Sequence, residues 1–247
     1  MPTVPPSAAL AAFDTGLAWF SARPLDAVIC DRLRRCKPNG LSDPSSFWQA
    51  EIMRQVVRYL SHPQVLIDPA IPVPNWGLND LGKGRVAALA ASKALAGTQH
   101  VISSAETKAI ETATPLATAL GCRNEVREAM HENDRSATGF LPPEEFEIVA
   151  DQFFANPDRS VRGWETATNA QNRIVTEVQQ CLSLCKTGDV LFVGHGGVGT
   201  LLYCYLSGHS ISRDFDQGSG GGGCYFEFSH SMSKPKSRWQ PLEKLID

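Results

Sequence analysis

Short apolar runs and longer stretches with one apolar face take turns along this chain, and their order sets the expected elements. "RQVVRYLSH", residues 54–62, packs Val56, Val57, Tyr59 and Leu60 into a run that predicts a buried strand ending near Ser61 and His62. "GKGRVAALAASKALAG" predicts a helix closed by Gly97, and "HVIS" a second strand. Ser103 with Glu106 three residues on has the form of a capping box, which predicts a helix from there to about Leu120, kinked at Pro115. "GWETATNAQNRIVTEVQQCLSLCK" places Ile174, Val175, Val178 and Leu182 on one helical face. "DVLFVGHGG" reads as a strand, "TLLYCYLSG" as a helix and "CYFEFS" as a last strand. Strands alternating with helices predict an α/β fold, a three-layer α/β/α sandwich around a mostly parallel sheet.

Other stretches break this rhythm. In "TGFLPPEEFEIVADQFFANPDRSVRGW" a helix from about Glu144 to Ala155 puts Phe146, Val149 and Phe153 on one face, and we read it as a cap inserted near residues 136–163. The glycine run Gly218–Gly223, with Ser219 within it, lacks the Gly-Lys-Ser/Thr ending of a phosphate loop and reads as a flexible hairpin or connector. Its prolines make "PAIPVPNWG" a rigid extended loop able to wall a pocket, with Trp76 as a lid. Residues 1–52 carry little periodicity and read as an appendage to a domain spanning 53–247. An extension, a small helical add-on and an organelle-targeting peptide all fit, with Asp14, Asp26 and Asp31 against the last.

Composition narrows the field. With 247 residues and 43% hydrophobic side chains there is material for one sizeable core. A net charge of -3, from 23 basic and 26 acidic residues, offers no field to gather nucleic acid or an anionic membrane, so any anion site must be local. No apolar run approaches the roughly 18–20 residues of a bilayer span, and a cytoplasmic setting is the expectation. Seven cysteines are an odd number, and Cys181 and Cys185 stand four apart in a helical pattern, which suits buried, reduced thiols.

The candidate chemistry begins with two histidines. In open parallel sheets ligands bind beyond the carboxyl ends of the strands, where helix N-terminal amides point outward. His62 and His195 both fall at such ends. One histidine there often only finishes a strand; two can face each other across one pocket if their strands are neighbours.

At these residues the chain from about Val56 to Phe228 resembles the histidine phosphatase superfamily, the phosphoglycerate mutase-like fold. "SHPQV" stands where the family has Arg-His-Gly, "WGLNDLGKGRVAALA" is similar to the segment after it, and "VISSAETKAIETATPLA" to the Ser-Ser and Arg-Ala-x-x-Thr-Ala segment. "HENDR" sits at the acid loop and "VGHGGV" at the second His-Gly motif. The resemblance implies a phosphohistidine mechanism: His62 attacks phosphorus, His195 and Lys108 neutralise equatorial oxygens, and an acid protonates the leaving alcohol. Glu132 is the first choice for that acid and Asp134 the second. Ser61 and Gly196 flank the two histidines as substrate-binding positions. The rings are then expected within about 4 to 8 Å of each other, with Lys108 and Glu132 lining the same cleft. Cap segments of this kind set substrate choice in the family.

Three departures bear on that chemistry. Ser61 and Lys108 replace arginines, and Pro63 replaces the glycine after the histidine. A guanidinium binds two phosphate oxygens at once, whereas an ammonium is a point charge. Arg135 and Arg162 are the nearest replacements. The expected function is a metal-independent phosphatase for a small phosphomonoester; the missing arginines favour the alternative, a catalytically silent relative that binds an anionic ligand or a partner. Mutase activity needs a further anionic anchor, and no basic cluster supplies one. Neither cofactor nor metal is expected, since no HExxH or CxxC accompanies the histidines.

Overall fold

The structure, a computed structural model, describes residues 55–247. The appendage expected over residues 1–52 lies outside them. Six strands, β1 (Val56–Ser61), β2 (Thr98–Ser104), β3 (Asn124–Arg127), β4 (Asp189–Gly194), β5 (Cys224–Ser229) and β6 (Gln240–Pro241), form one sheet in the order β3-β2-β4-β1-β5-β6. The first four strands in that order run parallel, and β5 and β6 join antiparallel at one edge. This is the mostly parallel α/β sandwich expected from the alternation of elements.

Alternate residues of each strand feed opposite faces, so two cores form. On one face Leu60, Val101, Leu191 and Val193 pack against α1 (Asp80–Ala91) and α2 (Thr107–Leu120). On the other, Val57, Tyr59, Phe192 and Phe226 meet α4 (Ala167–Leu184) and α5 (Gly196–Ser207), joined by Phe153 of α3 (Pro143–Ala155) and Trp164. Cys181 and Cys185 are buried on α4, and burial pushes their thiols up to about 12 and about 11.

The boundaries differ from the pattern in two places. Helix α1 starts at Asn79, whose side chain accepts from the Gly82 amide at 2.9 Å, and stops at Ala91 rather than Gly97. Ser92 ends it: the hydroxyl donates to the Leu89 carbonyl at 2.8 Å and accepts from the Ala94 amide, offering the chain an alternative to the helix. Gly97, at φ +97°, serves the turn into β2 instead. The expected capping box is absent as well. Ser103 is buried inside β2 and accepts from the Asn124 side chain at 2.9 Å, because the strand runs on to Ser104 before α2 begins. The helix ends at Leu120 and passes through Pro115 unbroken.

Candidate active site

Register, more than any single contact, brings the two histidines together. Ser61 on β1 pairs with Gly194 on the adjacent β4, and the next amide, that of His62, donates to the Gly194 carbonyl at 2.9 Å. His62 and His195 therefore leave neighbouring strands side by side, ring centroids 5.3 Å apart and planes 71° apart. Tyr59 fixes the second ring from below: its phenol donates to the His195 carbonyl at 3.2 Å and accepts from the His195 amide at 3.1 Å.

The two rings have different freedoms. His62 Nδ1 lies 2.8 Å from the Pro63 carbonyl oxygen. A carbonyl only accepts, so Nδ1 carries the hydrogen and Nε2 keeps a lone pair. Burial, and after it the Lys108 charge, lowers the His62 pKa to about 4, leaving the ring neutral at pH 7. His195 is fully buried, with Nε2 at 2.8 Å from the Ser104 hydroxyl, and burial pushes its pKa well down.

Carboxylates surround the pair. Glu132 accepts through Oε2 from the Gly197 amide at 3.1 Å and through Oε1 from the Val198 amide at 2.9 Å, so it sits on the N-terminus of α5. A Cβ on Gly197 would come 2.8 Å from Glu132 Oε1, which is why a glycine stands there. Glu106 is the deeper acid, 9% exposed: Oε1 accepts from the Glu132 amide at 2.8 Å and lies 3.6 Å from His195 Nε2. Burial works against its charge, but His195, Lys108 and the hydrogen bonds around it prevail and hold its pKa down to about 2. Arg173 positions this loop by donating to the carbonyls of Ala129 and His131 at 2.9 and 2.8 Å.

Two cavities of about 760 and 420 Å³ open here, and Glu132 and Asn133 form the wall between them. His62 lines the smaller. The larger is walled by the proline-rich loop 69–75 and carries Arg135. Trp76 is not a lid: it is buried, and its indole N–H donates to the carbonyls of Asp68 and Ile71, pinning the loop from inside. The glycine run is a connector packed against His62. Gly222, at φ +84°, has the His62 carbonyl oxygen 2.1 Å from where a Cβ would stand, so no side chain fits. Among the described residues, no group of three or more His, Cys, Asp or Glu side chains is placed to hold a metal ion.

The family model of the histidine phosphatase superfamily, branch 1, matches residues 72–228, more than half of the chain. The chain belongs to the histidine phosphatase superfamily. That match begins after His62, so the sheet register is what ties the first histidine to the rest. Solved structures with the same fold include a mycobacterial glucosyl-3-phosphoglycerate phosphatase with inorganic phosphate, 18% identical with a TM-score of 0.60, covering 75% of this chain and 94% of its own. A phosphoserine phosphatase from Entamoeba histolytica, in complex with 3-phosphoglyceric acid, is 16% identical at 0.58, covering 75% and 97%. Bacillus stearothermophilus YhfR is 16% identical at 0.61, covering 70% and 90%. No curated protein sequence matches the chain.

Within this member of the histidine phosphatase superfamily the remaining expected site residues divide. Lys108 reaches the site's interior but is 3% exposed, paired with the Glu106 carboxylate and donating to the Val73 carbonyl at 3.0 Å. Ser61 turns away from the cavities into the sheet, its hydroxyl accepting from the Cys224 amide at 3.0 Å and donating to Gln217 Oε1 at 2.5 Å. Gly196 opens α5 beside Gln217, whose Nε2 would meet a Cβ there at 2.2 Å. Arg135 keeps its guanidinium 4.8 Å over the Phe146 ring, and its charge reaches both histidines. Arg162 is exposed and paired with Glu145. Asp134 is exposed, and the Ser136 amide holds its pKa down. Sequence reading missed Glu106 as a site residue, along with Arg173, Ser104 and Gln217. An acid two residues before Lys108 was the one available signal.

Proposed function

We propose that this histidine phosphatase superfamily member hydrolyses a small phosphomonoester through a phosphohistidine at His62, without a metal ion. The observation carrying this reading is the His62 tautomer: Nδ1–H is committed to the Pro63 carbonyl, which leaves a neutral ring with its Nε2 lone pair. Nε2 forms a bond to phosphorus as the bond to the alcohol oxygen breaks, and the leaving oxygen takes a proton from an acid. Glu132, in the wall shared by both cavities, is that acid. Water then attacks phosphorus, gives its proton back to Glu132 and releases inorganic phosphate with His62 regenerated. Arg135 and Lys108, whose charges reach both histidines, supply the positive field for the phosphoryl oxygens. The buried thiols of Cys181 and Cys185 support a cytoplasmic setting for this activity. No helix among the described residues is long and apolar enough to cross a membrane.

One observation favours a silent relative that binds an anion. The Glu132 carboxylate already occupies the Gly197 and Val198 amides. Both readings meet in one experiment: turnover of a generic aryl phosphate by the wild type and by His62→Ala, with acid-labile phosphate trapped on the protein. Turnover and trapping that vanish together in the variant support the phosphatase. An inactive wild type that still binds vanadate supports the silent relative.

A further inference from the structure

The two cavities differ in what they can accept. The smaller one faces His62 with Phe146, Ala150 and Trp164 and is closed by the glycine run. Its charged groups other than His62 are three carboxylates, Glu132, Glu147 and Asp216, and one guanidinium, Arg213. That guanidinium is already committed. It pairs with Glu147 and Asp151, donates to the Glu147 carbonyl at 3.2 Å and lies 3.9 Å from Asp216. Asp216 in turn accepts from the Thr200 hydroxyl at 3.2 Å and the Gln217 amide at 2.7 Å.

A carboxylate or second phosphate entering this space would meet like charges and a saturated cation, and a charge desolvated without a partner is costly. A ring or alkyl group would meet aromatic faces. Of the cations lining the two cavities, Arg213 is paired, whereas Arg135 has no carboxylate partner among the described residues; it lines the other cavity while lying over Phe146 of this one. A phosphoryl group is thus best served at the seam between the two, with its alcohol directed into the aromatic side.

We propose that the cavity beside His62 selects phosphomonoesters whose alcohol is apolar, preferably aromatic, and carries no second anionic group. The selectivity rests on the phosphatase reading, since it treats this space as the leaving-group site. Its test uses ligands that need no turnover: benzylphosphonate and 3-phosphonopropionate, titrated calorimetrically against the full chain. Benzylphosphonate is expected to bind at least about 30-fold tighter, as a site that leaves a buried charge unpaired discriminates strongly. The double variant Glu147→Gln/Asp151→Asn releases Arg213 from its two closest carboxylates, leaving Asp216 at 3.9 Å, and so removes two exposed ion pairs from the rim. It is expected to bring the two affinities within about threefold, mainly by improving the carboxylate ligand. Equal affinities in the wild type, a preference for 3-phosphonopropionate or no binding of benzylphosphonate would overturn the proposal. Equal affinities alongside hydrolysis of phenyl phosphate would remove the selectivity and leave the phosphatase; selective binding without hydrolysis of any ester would do the reverse.

Discussion

The end of β1 and the start of α2 both depart from the pattern of the superfamily, and they absorb the departure in opposite ways. At β1 the residues on both sides of His62 are changed, yet the imidazole keeps what phosphoryl transfer asks of it. One backbone carbonyl, that of Pro63, sets the tautomer, and a carbonyl is present whatever the side chain. At α2 the charge is kept, as Lys108 for an arginine, and is felt at His62, yet its ammonium is tied up by Glu106 two residues earlier and by the Val73 carbonyl. A conservative substitution has thus altered the site more than a radical one. What decides is the nearest partner of each group, not the likeness of the exchanged side chains.

The most severe way to probe this contrast is at β1. His62→Ala is expected to lower kcat/KM on an aryl phosphate by roughly 10⁴-fold or more, the scale of losing a nucleophile. Residual activity within tenfold of wild type would show that the chemistry lies elsewhere. At α2 the effect is expected in stability. Lys108→Met strands the Glu106 carboxylate in a buried site, costing about 3–5 kcal/mol, while Lys108→Met/Glu106→Leu recovers most of it. Denaturant melts of the three proteins check this, and a single variant as stable as wild type would mean that Lys108 pairs with nothing important.

Arg135 comes next. If it has taken over the work of the absent arginines, Arg135→Ala should reduce kcat/KM by roughly 10² to 10³-fold, with thermal stability little changed. The smallest effect is a pH dependence. The activity profile should hold to about pH 5 and fall with an apparent pKa near 4, where protonation removes the Nε2 lone pair. Stability carries the same signature. Unfolded His62 takes up its proton at about 6.5 and the folded ring only at about 4, so acid favours the unfolded chain between those values. Stability therefore rises with pH across that window, and His62→Asn should flatten the rise by less than about 1.4 kcal/mol per pH unit, measured by chemical denaturation at pH 4.5 and 7.

How much of this was legible in the sequence follows from the range of the interactions involved. The strand runs, α4 with its apolar face and the pair of histidines at strand ends rest on local pattern, and the fold carries all of them. The capping box at Ser103 and Glu106 failed because a distant partner, Asn124, holds Ser103 inside the strand and a near one, Lys108, takes the Glu106 carboxylate, together outbidding a local motif of the right spacing. Ser61 looked like a substrate contact by position alone; its hydroxyl is instead engaged by the Cys224 amide and the Gln217 side chain. Glu132 sits at the histidines as expected, but its place on the α5 amides depends on a loop hung from Arg173, across more than forty residues of chain. Nothing in a one-dimensional pattern encodes that reach.

The Tyr59 phenol has a consequence for the rate at which solvent deuterium enters the site. Amides at a helix N-terminus usually lack an intrahelical partner and exchange quickly as the end frays. The His195 amide at the head of α5 instead donates to a phenol with no exposed surface, itself hemmed in by Gly194 and Gly199, where any Cβ would collide with the ring or its oxygen. Its exchange should therefore wait for opening of the sheet itself, making this one backbone proton a clock for global unfolding set within the candidate active site.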